Sequence, residues 1–131
     1  MKHKIMLVDD AEIANIIMKK IISFLMLNVD VFDFTNPDEA YEEMKTLNPD
    51  LIFLDLNMPW LNGWDYLEKM KKENYNFKVI IVTSSTSYVD KERVVEFPNV
   101  IDYLEKPVSK EQILKHINAL SEDHNYADLE H

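Results

Sequence analysis

The sequence predicts an α/β domain: a five-stranded parallel sheet with helices on both faces. Three observations predict it. Short apolar runs begin near residues 5, 29, 51, 79 and 101, a spacing of about 22 to 28 that fits one strand-loop-helix-loop unit. The stretches between them carry apolar residues at helical i, i+3, i+4 spacing instead of further strand patterns. The 131 residues, 47% hydrophobic and 29% charged, suffice for one compact domain with its own core. Alternating strands and helices joined by right-handed crossovers give a parallel sheet covered on both sides.

Each element follows from its residues. Residues 4–8 are a nearly continuous apolar run ending in Asp9-Asp10, as expected for a strand buried on both faces. Residues 11–27 contain no helix breaker, and Ala14, Ile17, Met18, Ile21 and Leu25 form one stripe, which predicts the first helix and its buried face. Val29–Phe34 alternates apolar and acidic residues, so it reads as a half-exposed edge strand; Asn36-Pro37 then opens a second helix to about Leu47. Residues 51–54 form a third strand ending in Asp55, and a helix follows over 62–73. The fourth strand is 79–82, followed by a short helix over 88–95 that Pro98 ends. The fifth strand is 101–105, and Ser109 caps a last helix lined by Ile113, Leu114, Ile117 and Leu120. The domain is expected to occupy 1–121, with 122–131 a flexible tail and 129–131 the remnant of a tag.

Composition removes whole classes of function. No cysteine means no disulfide, thiolate zinc site, iron-sulfur cluster or cysteine nucleophile. Gly63 is the only glycine, so neither a P-loop nor a dinucleotide fingerprint can be present. A net charge of −10 repels a phosphate backbone, so direct nucleic-acid binding is not expected. No apolar run reaches the roughly 18 residues of a membrane span, and no secretory leader precedes Asp9, so a cytoplasmic location without membrane insertion is expected. His3, His116 and His124 are widely spaced, show no ligand pattern and are read as surface residues. Trp60 and Trp64 are read as parts of a packed loop around Gly63.

The strand ends carry the chemistry. Asp9, Asp10 and Asp55 stand just past two strands expected to be neighbours, while Thr83 and Lys106 end the fourth and fifth. Like charges about 4 Å apart cost about 4 kcal/mol per pair even at an effective dielectric of about 20, so three carboxylates call for cations. Lys106 supplies one, and a divalent ion would bring the group close to neutral; hard oxygen ligands suit Mg2+. Each residue alone has a plain explanation, such as helix capping for Asp9 and Asp10 or a surface charge for Lys106. Their conjunction at four strand ends points to phosphoryl chemistry.

Over roughly residues 4–120 the chain resembles the receiver domain of two-component response regulators, CheY-like and of the single-domain type. The resemblance rests on Val8-Asp9-Asp10, Leu54-Asp55-Leu56-Asn57-Met58-Pro59, Asn62-Gly63, Val82-Thr83-Ser84 and Tyr103-Leu104-Glu105-Lys106-Pro107. It implies a flavodoxin-like (βα)5 fold with strand order 2-1-3-4-5. By the same resemblance Asp55 is the phosphoacceptor, receiving a phosphoryl group from a sensor histidine kinase or a histidine phosphotransfer protein. Asp9, Asp10, Asp55 and the Asn57 carbonyl would hold Mg2+, with Asp9 acting largely through water. Lys106 would pair with Asp55, Thr83 and the Ser84 amide would contact the phosphoryl oxygens, and Lys106-Pro107 would be cis. The resemblance also makes Asn57 a phosphoryl contact beside Ser84, and puts Asn57 and Ser85 at positions whose side chains, in this family, tune dephosphorylation.

Further expectations concern partners. Thr83 and Tyr103 are the expected switch, with Tyr103 rotating inward and a surface bearing Tyr88, Phe97 and Tyr103 offered to a downstream protein. Ile13 and Ile16 widen the first helix toward the site and are the expected kinase contact. The domain is expected to be a monomer or weak dimer and to catalyse only its own phosphorylation and dephosphorylation. The rivals are a Mg2+-dependent aspartyl-phosphate phosphatase of the haloacid dehalogenase type, which needs an aspartate where Asn57 stands, and a phosphorylation-independent interaction module.

Overall fold

The computed structural model describes residues 2–59, 61–84 and 88–129. The elements run β1 (His3–Val8), α1 (Glu12–Phe24), β2 (Val29–Phe34), α2 (Pro37–Leu47), β3 (Leu51–Asp55), α3 (Gly63–Lys72), β4 (Val79–Thr83), α4 (Tyr88–Arg93), β5 (Val100–Glu105) and α5 (Lys110–Leu129). All strand pairs are parallel and the order is β2-β1-β3-β4-β5, the arrangement the resemblance implied. The chain moves outward in one direction from β1 and then returns past it, so β1 and β3 are neighbours across the point where strand order reverses. Asp9 and Asp55 therefore leave adjacent strand ends.

Two apolar layers sandwich the sheet. On one face Met6, Val8, Ile52 and Leu54 meet Tyr41 and Met44 of α2 and Trp64, Leu67 and Met70 of α3. On the other, Ile5, Leu7, Phe53 and Ile80 meet Ile22 of α1 and Ile113, Ile117 and Leu120 of α5. Local chemistry sets the helix starts. The Asn36 side chain accepts from the amides of Asp38 and Glu39, Asn62 accepts from that of Asp65, and Ser109 Oγ accepts from that of Gln112. Among the described residues no helix is long and apolar enough to cross a membrane.

Several expectations need correction. The α1 face is rotated from the expected stripe: Ile17 is 52% exposed, whereas Asn15 and Ile22 are fully buried. Asn15 can take the inward position because its amide finds backbone partners there. The helix ends at Phe24, with Met26 in the left-handed region at φ 53°. The fourth helix is shorter than expected and closes in a 3-10 turn over Val94–Glu96. α5 spans Lys110–Leu129, and no proline or glycine in 121–129 stops it. His116 is not a surface residue: it is buried, with Nε2 2.6 Å from Asp102 Oδ2. Phe97 is buried and stacked on Trp64 with ring centroids 5.8 Å apart, so it offers nothing to a partner. Trp64 is packed as expected, but in the first turn of α3 instead of in a loop, while Trp60, Ser85 and the Tyr88 and His124 side chains lie outside what is described.

Candidate functional site

The site lies at the carboxyl edge of β1, β3, β4 and β5. Asp55 ends β3 and is 4% exposed; Gly63 makes that tight seat possible. Its amide donates to the Leu56 carbonyl at 2.9 Å, and a Cβ there would stand 2.7 Å from Leu56 Cα and 2.8 Å from the Asp55 carbonyl oxygen. The one glycine of the chain thus sits where α3 must touch the backbone that carries Asp55. Asp55 Oδ1 accepts from the Asn57 amide at 3.1 Å. Burial pushes the Asp55 carboxyl up to about 6; the Asn57 amide and Lys106 oppose that shift, and Asp9 and Asp10 add to it.

Asp9 is held on both oxygens. Oδ1 accepts from the Ala11 amide at 2.9 Å, closing the turn into α1, and Oδ2 accepts from Lys106 Nζ at 2.7 Å. Lys106 is 3.6 Å from Asp55 Oδ2, so the lysine expected beside Asp55 sits closer to Asp9. Burial would lower its pKa, but the contacts with Asp9 and Asp55 outweigh burial and hold the ammonium above its ordinary range. Asp10 is exposed. Asp9, Asp10 and Asp55 each offer a carboxylate oxygen within 4.8 Å of the others, a hard donor set that fits Mg2+.

Thr83 is fully buried at the end of β4, and its hydroxyl accepts from Asn57 Nδ2 at 3.1 Å. Sequence reasoning named both residues without foreseeing that they bond each other. Ser84 is exposed. The strand register pairs Tyr103 with Ile81, which puts Tyr103 on the same sheet face as Thr83. The residue is half-buried, and its hydroxyl is buried with no hydrogen-bond partner among the described residues. The Lys106-Pro107 peptide is cis, as expected. Ile13 and Ile16 are exposed, at 64% and 38%. Beneath α1 an apolar cavity of about 380 Å3, walled by Met18, Ile21, Phe53 and Val108, opens on Asp9, Asp55 and Lys106.

A family model of the response regulator receiver domain matches residues 5–118. The chain belongs to the response regulator receiver family. It is 27% identical to the chemotaxis protein CheY of Thermotoga maritima, over 92% of this chain and 99% of that protein. It is 31% identical to the nitrate/nitrite response regulator protein NarL of Escherichia coli and 28% identical to the alkaline phosphatase synthesis transcriptional regulatory protein PhoP of Bacillus subtilis. These matches cover 85% and 92% of this chain but only 51% and 49% of those proteins. Among solved structures, the receiver domain of Francisella response regulator 1452 superposes with a TM-score of 0.79 at 29% identity, over 94% of this chain and 99% of that one. A CheY-like receiver domain protein from Methanospirillum hungatei reaches 0.82 at 24% identity, over 96% and 99%. Receiver domains are signalling modules of two-component systems, not classical enzymes.

Asn15 beside the site and the His116–Asp102 pair elsewhere in the fold escaped sequence reasoning. The Asn15 role was hidden because a polar residue in an amphipathic helix is assigned by default to the solvent side; its one visible signal was its i, i+3, i+7 spacing with Met18 and Ile22. The His116–Asp102 pair joins α5 to β5, and no local pattern relates those positions.

Proposed function

We propose that this receiver domain is a phosphorylation-dependent switch that takes a phosphoryl group onto Asp55 from a histidine kinase or a histidine phosphotransfer protein. The observation that carries the reading is the seat of Asp55: nearly buried, with Lys106 Nζ at 3.6 Å and two further carboxylates around it. A carboxylate oxygen of Asp55 attacks phosphorus, the P–N bond of the phosphohistidine breaks, and its electron pair returns to the imidazole. Asp9, Asp10, Asp55 and the Asn57 carbonyl would hold Mg2+, which when bound offsets the charge gathering on the phosphoryl oxygens. Lys106 turns from Asp9 toward one of those oxygens. The Thr83 hydroxyl and the Ser84 amide donate to the others, and the Thr83 oxygen can accept from Asn57 Nδ2 while it does so.

The phosphoryl group adds roughly −1.5 to −2 charge, and drawing Thr83 toward it empties space beside α4. Tyr103 responds on the same sheet face, biasing the surface shared by α4, β5 and α5 toward a protein target. Ile13 and Ile16 of α1 are the docking contact for the phosphodonor, which we place in the cytoplasm.

Mass spectrometry after acetyl phosphate and Mg2+ tests the acceptor: wild type gains one phosphoryl group and Asp55→Asn gains none. A phosphorylated Asp55→Asn overturns the assignment. Ile13→Lys should lose transfer from a kinase while acetyl phosphate still works, and equal loss of both removes the docking role. Binding of beryllofluoride should shift resonances at Thr83, α4 and Tyr103; shifts confined to the three aspartates exclude the switch.

A further inference from the structure

Asn15 is the one fully buried polar side chain of α1, and its Nδ2 donates to two backbone carbonyls at 3.1 Å, those of Asp9 and Phe34. The Phe34 carbonyl also accepts from the Asp9 amide at 3.1 Å. The peptide that joins Asp9 to Asp10 is therefore tied from the helix side, while the Asp9 carboxylate is tied by Ala11 and Lys106. Asp10 is exposed and takes its direction from that peptide. We infer that Asn15 is a positioning residue for the divalent cation: its carboxamide fixes the Asp9–Asp10 peptide plane and so aims Asp10 at Asp55.

The physical reason lies in hydrogen-bond satisfaction. A buried carbonyl without a donor is costly, so a chain lacking the Asn15 amide turns the Asp9 carbonyl toward another partner. Rotating that peptide moves the Asp10 side chain, while Asp55, carried on β3, stays in place. Partners that orient a metal ligand from behind are commonly worth ten- to hundred-fold in metal affinity. The inference rests on the proposed metal site, and the experiment separates the two.

Mg2+ is titrated into the chelated wild type, Asn15→Leu and Ile22→Ala, following amide resonances of the folded protein. Asn15→Leu keeps the branched shape, though it is bulkier, and removes the donor; its Mg2+ Kd should rise ten- to hundred-fold, with metal-free shifts centred on Asp9, Asp10 and Phe34. Ile22→Ala, the other fully buried α1 position, should melt earlier with its Mg2+ Kd within twofold of wild type. Should Asn15→Leu be unfolded without metal, Asn15→Ala carries the same titration, and the Mg2+ dependence of its Tm reads the Kd. A wild type that shows no saturable Mg2+ binding overturns the metal site itself. A wild type that binds, beside an Asn15 variant of equal affinity, overturns the positioning role alone.

Discussion

The two faces of the sheet are packed to different depths. The face bearing α2 and α3 is sealed: Tyr41 meets Tyr66 edge-on at 5.2 Å, Trp64 stacks on Phe97, and α3 alone fully buries Gly63, Trp64, Tyr66, Leu67 and Met70. The face bearing α1 is loose: in thirteen residues that helix fully buries only Asn15 and Ile22, and a cavity remains beneath it. Both sides carry helix-period patterns, so amphipathicity shows which way a helix leans without showing how far it sinks. The loose side borders the charged site, where Ile13, Ile16 and Ile17 leave apolar surface in water. That apolar surface carries the contact proposed above for the phosphodonor.

The contrast can be tested from its strongest side. Trp64→Ala should cost about 3 to 5 kcal/mol of stability, whereas Ile17→Ala should cost less than about 1 kcal/mol; urea midpoints at pH 7 compare them. Equal losses would mean that the two faces are packed alike. Next in size is Gly63→Ala, expected to cost about 1 to 3 kcal/mol because its Cβ meets backbone rather than a yielding side chain.

Asp55→Asn works in the opposite direction. The folded-state pKa of Asp55 is raised to about 6 by burial, so the folded protein binds that proton more tightly than the unfolded chain, whose carboxyl sits near 3.8. Stability is therefore lost as pH rises from the unfolded value through the folded one, and the cost is fully present at pH 7. Removing the charge should add roughly 1 to 2 kcal/mol at pH 7 in chelator, after allowance for screening, and the gain should vanish toward pH 4. The smallest effect is expected at the cavity. Ala14→Leu should fill part of it and add about 0.5 to 1 kcal/mol, and a loss instead would show that α1 is already seated as closely as it can be.

The strands were legible because they are buried: a run such as 51–54 flanked by polar residues leaves little choice, and the site followed because its aspartates, threonine and lysine stand immediately past such runs. What stayed hidden depends on partners distant in sequence. Asn15 looked solvated until Phe34, 19 residues away, supplied a carbonyl. His116 looked exposed until β5 brought Asp102 against it. Phe97 sits beside Pro98 in what reads as a surface loop, and packing against distant residues such as Trp64 makes it core. Lys106 was correctly placed at the site, but its preference for Asp9 over Asp55 is a matter of about an ångström that spacing cannot express.

The contact between Lys106 and Asp9 spans 97 residues of chain. During synthesis the acidic residues emerge first and their counter-charge last, so a nascent chain that has made β4 holds three carboxylates and lacks the lysine that offsets them. The charge balance of the site is complete only when the final strand has been translated and paired with β4. A chain cut before residue 106 would keep all three carboxylates and lose the ammonium that stands 2.7 Å from Asp9 and 3.6 Å from Asp55, so the order of the strands alone decides when repulsion at the strand ends is offset.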